Sequence, residues 1–388
     1  MRPTRLVAHA AVLAVVLILL PGCLQQRVRH LTADSLNGRN NNTAGGLAAR
    51  QYVIDELKKV AGGAITGQTG DAAYIQTFPQ GANVLAVIPG ATRPNEYVMV
   101  GAHYDHQGSC GNSGGDTICN GATDNATGTA MVLGLADRFA QNPPDRSVIF
   151  ALWDAEEDGL LGSNYYVANP VVPLAQTVAY LNLDIQGSNL LPTLANKTFA
   201  IAAETGGASL RSTVDAAYGA STLDAAQLSS VFGLYRSDYA PFVNKKVPTV
   251  FFTDSTGPCY HKPGDEYEIV DWDKLYAQFD AFEYTATALA YDDPAAPGTF
   301  VTPTWQANPL VTYQDTVALR AIIEESFPDW DRFPQAMQDS AMVHYNVLTQ
   351  IVADGEAAFD SADHGPVLNA AQTAVSLLTY GDCDGFLS

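Results

Sequence analysis

Short runs of consecutive apolar residues, separated by stretches with helical spacing, dominate the pattern between residues 46 and 292. Continuous apolar character is typical of strands that are buried on both faces. Five runs are predicted strands: residues 83–88, 97–102, 148–153, 178–183 and 247–252. Residues 47–60 and 128–142 carry apolar positions at the spacing of an amphipathic helix. This alternation predicts an α/β fold over residues 46–292, with a mostly parallel mixed sheet sandwiched by helices.

A segment rich in Pro and Gly at residues 293–310 interrupts this pattern. Beyond it, residues 316–325, 336–352 and 367–378 have helical patterns that end at Asp, Gly or Pro. We therefore predict a C-terminal helical appendage over residues 293–388, and the pattern alone assigns no role to it.

The N-terminus has the layout of a secretory signal. Arg2 and Arg5 precede a mostly apolar run at residues 6–20, and small residues follow it. A membrane-spanning anchor is the alternative, but this run is shorter than the roughly 20 residues that a span needs. The sequence Leu20-Pro21-Gly22-Cys23 resembles a bacterial lipobox, in which the cysteine receives a lipid.

A lipid on Cys23 would attach the protein to the cell envelope. We expect a signal peptide at residues 1–22 that is cleaved before Cys23. Residues 23–45 are mainly polar and predict a flexible tether between the lipid and the domain. The predicted localisation is outside the cytoplasm, on the outer membrane or facing the periplasm, with an extracellular location as the alternative.

The charge balance is strongly acidic, with 41 Asp and Glu residues against 20 Lys and Arg and a net charge of −21. The sequence has no basic stripe, which disfavours nucleic acid as a partner and leaves the lipid as the expected contact with a membrane. Without Cys23, four cysteines remain, and they can form two disulfides in three ways. The short loop favours Cys110–Cys119, which would leave Cys259 for Cys383, but the connectivity stays open at this level.

Five short islands of acidic residues and histidine follow the predicted strands or begin the loops after them. They are His103-Tyr104-Asp105, Thr123-Asp124-Asn125, Glu156-Glu157-Asp158, Asn182-Leu183-Asp184 and Tyr260-His261. Each has an ordinary alternative, such as a structural histidine, a helix N-cap or a solvated loop. Adjacent anions at the end of a buried strand, however, repel each other unless cations compensate them. Because ligand sites lie beyond the carboxyl ends of strands in α/β sheets, we expect the five islands to meet.

The combined set has the residue types of a two-zinc hydrolytic centre. Two histidines and two or three carboxylates suffice to hold two zinc ions, and one further glutamate remains as a general base. His106 is a second candidate beside His103. Asp105 is placed to orient His103, and Asp265 is likewise placed to orient His261. The sequence therefore predicts metal-assisted hydrolysis.

These motifs resemble the secreted bacterial dizinc aminopeptidase family, such as the zinc aminopeptidases of Streptomyces and Vibrio, over residues 37–268. The resemblance implies the zinc-exopeptidase fold and two zinc ions as cofactors. It implies one bridging ligand and two ligands for each ion, namely Asp124 as the bridge, His103 with Asp184, and Glu157 with His261. It also implies Glu156 as the general base and Tyr260 as a hydrogen-bond donor to the developing oxyanion.

Two finer features also follow from the resemblance. It implies a strained, non-proline cis peptide bond between Asp124 and Asn125. Tyr239 stands where relatives commonly have histidine, and this departure leaves the implied metal ligands intact.

The predicted function is a zinc aminopeptidase that removes N-terminal residues from peptides with a free N-terminus. One alternative is a glutaminyl cyclase of the same fold, which uses one zinc; the Asp124-Asn125-Ala126-Thr127-Gly128 turn favours the hydrolase. The other alternative is a non-catalytic surface binding protein with a structural metal site. Structural zinc sites are closed and favour thiolates, which disfavours this reading. We expect the pocket walls to come from residues 228–233 and 252–258.

Overall fold

The structure, a computed structural model, describes residues 23–60, 63–293, 298–307, 310–380 and 383. The predicted signal peptide at residues 1–22 lies outside this range. Both favoured disulfides are present, Cys110–Cys119 and Cys259–Cys383, and Cys23 is a free cysteine. Among the described residues, none of the helices combines the length and the apolar character that a membrane span requires.

Within the described part of the chain, nine strands form one mixed sheet and two more form a separate hairpin. In chain order they are β1 Gly63–Ala64, β2 Ile75–Phe78, β3 Gly81–Ile88, β4 Arg93–His103, β5 Gly108–Ser113, β6 Asp116–Cys119, β7 Arg146–Trp153, β8 Thr177–Leu183, β9 Lys197–Ile201, β10 Asp224–Leu228 and β11 Thr249–Thr253. The large sheet has the order β1-β3-β7-β4-β8-β11-β9-β10, and β2 pairs with β3. All five predicted strands are confirmed, and β4 runs parallel to its neighbours β7 and β8, as β8 does to β11.

Helices cover both faces of the sheet. They are α1 Ala44–Lys59, α2 Thr127–Gln141, α3 Leu161–Ala168, α4 Gly207–Gly219, α5 Tyr239–Asn244, α6 Trp272–Ala290, α7 Tyr313–Glu325, α8 Gln335–Asp354 and α9 Ser361–Leu378. Strand β7 shows why the central strands are continuously apolar: Phe150 and Leu152 pack with α1, α2 and α6, while Ile149 and Trp153 pack with α3 and α5. The predicted α/β sandwich is therefore confirmed.

The predicted tether at residues 23–45 is wrong, because this segment packs into the domain. Residues 23–31 are helical, and Leu24, Val28 and Leu31 are buried in the cluster beneath α1 and α2. These three positions are four and three residues apart, which places them on one helix face. Arg27, also buried, forms ion pairs with Glu56 at 2.9 Å and with Asp137 at 2.8 Å. A docked helix therefore replaces the expected flexible segment.

The three C-terminal helices were predicted, and each one is confirmed. They cover the face of β9–β11 that lies beside α5. Phe199, Ile201 and Phe251 of those strands share one hydrophobic cluster with Leu319 of α7 and Val367 of α9. The C-terminal extension, defined as the described residues from 298 onward, thus packs directly against the sheet.

Because residues 23–31 are docked, we predict a measurable loss of stability when one of their fully buried side chains is shortened. Leu24 is fully buried, so Leu24→Ala should lower the free energy of unfolding by about 2–5 kcal/mol, as other buried leucines do. Urea unfolding of the disulfide-intact protein measures this. Gln26, exposed on the same turn, is the control, and Gln26→Ala should change stability by about 0.5 kcal/mol or less. Equal stability of both variants would contradict the docked helix.

Candidate metal centre

The parallel strands β7, β4, β8 and β11 bring the predicted ligands to one edge of the sheet. Neighbouring parallel strands end on the same side, so the loops that follow them meet there. His103 is the last residue of β4, and Asp184 follows β8 directly. Glu156 and Glu157 lie just beyond β7, and His261 lies in the loop after β11. All of the metal-ligand candidates are therefore brought together.

Asp124 is the central residue of the site because its two oxygens face two different histidines. Its Oδ1 lies 3.2 Å from His103 Nε2, and its Oδ2 lies 3.2 Å from His261 Nε2. Asp184 Oδ1 lies 3.1 Å from the same His103 nitrogen. A carboxylate in this position can contribute one oxygen to each of two cations.

Glu157 and His261 form the second half of the site. His261 Nε2 lies 3.1 Å from Glu157 Oε2. His106 approaches the other oxygen, with Nδ1 2.6 Å from Glu157 Oε1, and it is fully buried. His106 is therefore an additional candidate ligand beside the five that the resemblance implies.

The buried polar atoms of the site fit a bound metal. Among the described residues, His106 Nε2 has no hydrogen-bond partner, and His106 Nδ1 and Glu157 Oε1 approach each other at 2.6 Å without hydrogen-bond geometry, although buried polar atoms almost always have a partner. The ligand atoms of His103, Glu156 and Asp184 lie within 4.8 Å of one another, as do those of His106, Asp124 and Glu157. Ligand atoms that surround a zinc ion tetrahedrally at about 2.0–2.2 Å lie roughly 3.3–3.6 Å from one another. The distances from the two Asp124 oxygens to His103 Nε2 and to His261 Nε2, both 3.2 Å, are close to this range. Imidazole and carboxylate are also ligands that zinc prefers.

Asp105 positions both sides of the site. Its carbonyl oxygen lies 3.2 Å from His103 Nδ1, while its nearer carboxylate oxygen is 3.7 Å away. The carboxylate instead accepts hydrogen bonds from the backbone N–H groups of Glu156 and Glu157, at 3.2 and 3.4 Å. Asp105 therefore contacts His103 as predicted, but chiefly through its main chain.

Asp265 does not orient His261, which corrects the prediction. Its carboxylate accepts hydrogen bonds from the N–H and the hydroxyl of Thr123, both at 2.9 Å, and from the N–H of Asp124 at 3.0 Å. It therefore fixes the turn that carries Asp124. The implied cis peptide bond between Asp124 and Asn125 is present in this turn, so that prediction is confirmed.

Gln107 takes the place that was predicted for Asp265. Its Nε2 lies 2.8 Å from His261 Nδ1 and donates to Glu157 Oε2 at 3.2 Å. The sequence signal for Gln107 is weak, since only its position directly after His106 marks it.

Left-handed backbone conformations turn the chain at one candidate ligand, His261, and at the neighbours of two other site residues, Glu156 and Asp184. Ala155, Ile185 and His261 have φ values of 56°, 61° and 55°. Non-glycine residues rarely adopt this region, and a β-branched residue such as Ile185 does so at a cost. The surrounding structure therefore enforces these sharp turns, which aim the adjoining side chains at the site.

Arg39 is a cation buried beneath the site, and sequence patterns did not assign it a role. Its guanidinium donates to the backbone oxygens of Tyr104, Leu31, Asn120 and Gly121. Burial lowers the pKa of Arg39 to about 10, and nearby carboxylates oppose this. Arg39 thus ties the docked N-terminal segment to the loops that carry His103 and Asp124.

Burial and contacts shift the pKa values of the carboxylates in opposite directions. Burial raises the pKa of Asp124, but hydrogen bonds from His103 and His261 outweigh it and hold this pKa well below its ordinary value. Burial raises the pKa of Glu156 well above its ordinary value, against the opposing charge of His103, and Asp184 adds to the rise. Asp124 is stabilised as an anion, whereas Glu156 is destabilised as one.

Tyr260 lies at the mouth of the site beside His261. Its hydroxyl oxygen accepts a hydrogen bond from Arg236 Nη2 at 3.1 Å. The hydroxyl proton is therefore left to donate to another group. Sequence reasoning missed Arg236, and it also missed Asp238, a fully buried carboxyl whose pKa burial raises to about 7.

An apolar pocket begins at the metal-ligand cluster and extends along β9–β11. Its lining on the sheet side includes Phe199, Ile201, Leu228, Phe232 and Phe251. The predicted wall segments 228–233 and 252–258 both contribute to it, with Leu228 and Phe232 from the first and Thr253, Ser255 and Thr256 from the second. Tyr239, the departure from the family pattern, lies behind this wall, where its hydroxyl donates to the carbonyl of Ser230 at 2.8 Å and its ring stacks on Phe251.

The fold and the site together define a protein of the zinc-exopeptidase fold. LapB of Legionella pneumophila shares this fold with a TM-score of 0.54 at 20% identity, over 70% of this chain and 74% of LapB. A glutaminyl cyclase of Bacteroides thetaiotaomicron does so with a TM-score of 0.54 at 18% identity, over 69% of this chain and 97% of that protein.

More specifically, residues 83–286 match the model of peptidase family M28, and the chain belongs to that family. Leupeptin-inactivating enzyme 1 of Streptomyces exfoliatus is 36% identical over 168 residues, which are 41% of this chain and 35% of that protein. An aminopeptidase of Pseudomonas aeruginosa is 30% identical over 224 residues, 51% of this chain and 39% of that protein. The chain thus spans well under half of the length of these two relatives.

The contacts of Asp265 predict a loss of metal affinity when its carboxylate is changed. Asp265→Asn replaces one acceptor oxygen with an N–H donor that faces the donors of Thr123 and Asp124. Zinc affinity, measured by competition with a chelator, should fall about 10- to 100-fold, as it does when other groups that orient ligands are removed. Glu268, exposed nearby, gives the control Glu268→Gln, which should bind zinc normally. Unchanged affinity in Asp265→Asn would remove Asp265 from the support of the site.

Proposed function

We propose that this protein is a zinc-dependent aminopeptidase with two zinc ions at the centre described above. The ligands are those that the resemblance implies: His103, Asp124, Glu157, Asp184 and His261. The observation that carries the proposal is that the two oxygens of Asp124 face two different histidines. Membership of peptidase family M28 supports zinc as the metal.

Bound zinc ions would act as Lewis acids and lower the pKa of a water molecule, so that a hydrolytic nucleophile exists at neutral pH. Glu156 would accept the proton of the attacking water and deliver it to the leaving amine. Its position beside His103 and Asp184, within 4.8 Å, suits this role. Tyr260 would donate its hydroxyl proton to the developing oxyanion, because Arg236 already occupies the acceptor side of that hydroxyl.

Restriction to N-terminal residues follows from charge and shape. The free amine of a peptide would be attracted to the buried carboxylates Asp124, Glu156 and Asp184, which all line the pocket. The first side chain of the peptide would then enter the apolar part of the pocket. Apolar N-terminal residues are therefore the proposed substrates.

Glu156→Gln separates catalysis from metal binding. The variant keeps the shape of the side chain and spares the five ligands, so it should retain two zinc ions per chain. Its rate on amino-acyl nitroanilides should fall about 100-fold or more, because the base is lost. Zinc content by elemental analysis and steady-state kinetics measure the two effects.

Two further variants sharpen this test. Glu157→Gln should lose zinc as well as activity, whereas Asp158→Asn, at an exposed neighbour, should lose neither. A Glu156→Gln variant that stays active would exclude the proposed base. A wild-type protein that cyclises an N-terminal glutaminyl peptide and leaves the nitroanilides intact would be a cyclase, and one that does neither would be a binding protein.

We also propose that the protein is exported and carries a lipid on Cys23, the localisation that its N-terminal sequence predicts. Cys23 is at the start of the docked helix, directly before the buried Leu24. A lipid at this position would hold the domain close to the membrane surface, since no flexible tether intervenes. Multiple acyl chains, each contributing about 0.8 kcal/mol per buried methylene, would hold it firmly.

Cys23→Ser should release the protein from the membrane fraction and leave its peptidase activity intact. The reason is that Cys23 takes no part in the metal centre or the disulfides. Fractionation of cells, with activity measured in each fraction, checks this. Wild-type protein that is wholly soluble, with a mature N-terminus other than Cys23, would rule out the anchor.

A further inference from the structure

The C-terminal extension contributes one side of the apolar pocket beside the metal centre. Besides the sheet residues, the pocket is lined by side chains of α7 and α9, namely Leu319, Ile322, Ala371, Ala374, Val375 and Leu378. These residues lie beyond residue 286, where the match to the family model ends. We propose that the C-terminal extension forms the far wall of the pocket for the substrate's first side chain and sets the largest side chain accepted.

Polar contacts hold α7 in place as a wall. The carboxylate of Asp315, in its first turn, accepts hydrogen bonds from the N–H and the hydroxyl of Ser229, at 2.8 and 2.7 Å. Ser229 directly follows β10, whose last residue Leu228 lines the pocket. At the other end of α7, Glu325 forms an ion pair with Lys197 of β9 at 2.7 Å. The helix is therefore fixed to both strands that it faces.

The end of α9 is held to the loop of the metal centre. The Cys259–Cys383 disulfide joins the residue before Tyr260 to the chain just beyond α9. In addition, Lys262 Nζ donates to the carbonyl of Thr379 at 3.4 Å. The wall and the loop of Tyr260 and His261 are therefore positioned together.

The side chains of the wall differ in size, which is what a specificity determinant requires. Helix α7 presents the large side chains of Leu319 and Ile322, whereas α9 presents the small ones of Ala371 and Ala374 beside those of Val375 and Leu378. The two alanines line the same pocket as Phe199 and Phe251, and their short side chains leave space in it. A larger residue at either position would occupy that space, because a well-packed wall cannot move away without strain.

The test rests on the proposed aminopeptidase function and compares substrates that differ in the size of the first residue. Ala371→Phe and Ala374→Phe each place an aromatic ring in the pocket. The ratio of kcat/KM for phenylalanyl over alanyl nitroanilide should fall about 10-fold or more in both variants, since a few methylenes of pocket space carry this much discrimination. The control is Ala362→Phe, at an exposed position in the first turn of α9, which should keep the wild-type ratio.

Three outcomes decide between the explanations. An unchanged ratio in both pocket variants overturns the proposal, as does an equal loss on all substrates with zinc retained, which would mean a structural role. If the wild-type protein hydrolyses none of the nitroanilides, that result overturns the proposed aminopeptidase function and not the proposal about the pocket wall. In that case, calorimetric binding of free L-phenylalanine and L-alanine to the zinc-loaded protein decides the pocket question: a selective loss of L-phenylalanine binding in the two variants supports the wall, and unchanged binding overturns it.

Discussion

The concentration of buried carboxylates at one edge of the sheet is the constraint on which the rest of the structure depends. Asp124, Glu156, Glu157 and Asp184 lie within a few ångströms of common partners, and three of them are almost fully buried. Burying several like charges is costly unless cations or hydrogen-bond donors compensate them. The surrounding histidines and Arg39 supply part of that compensation, and bound zinc ions would supply the rest. This requirement explains why so many neighbouring groups are dedicated to holding the acidic residues in place.

Backbone N–H groups provide much of this support. Asp265 binds the turn that carries Asp124, and Asp105 binds the N–H groups of the two adjacent glutamates. These supporting carboxylates lie behind the site, so the candidate ligand side chains stay directed towards its centre. The rigid parallel strands set where each turn begins, and the buried supports then set the direction of each side chain.

The same sheet creates a second requirement along strands β9–β11. Strands β9–β11 carry apolar side chains on the face beside α5, and a large exposed apolar face is unfavourable in water. The C-terminal helices cover it and complete one hydrophobic cluster with Phe199, Ile201 and Phe251. Where the covering is incomplete, beside the metal centre, the gap is the apolar pocket. Stability and the shape of the binding site therefore arise from the same packing.

The sequence by itself determined the central strands, the C-terminal helices and the set of metal-ligand candidates. Strands buried on both faces are continuously apolar and easy to recognise, and ligands at strand ends follow from parallel pairing. The edge strand β10, Asp224–Leu228, is only partly buried and has no such signal. The helix at residues 23–31 was missed because its three apolar positions are surrounded by polar residues. Only the tertiary structure decided that Asp265 supports Asp124, that Gln107 contacts His261 and that α9 faces the pocket. Those contacts join residues far apart in the chain, and their partners depend on side-chain packing that local patterns do not encode.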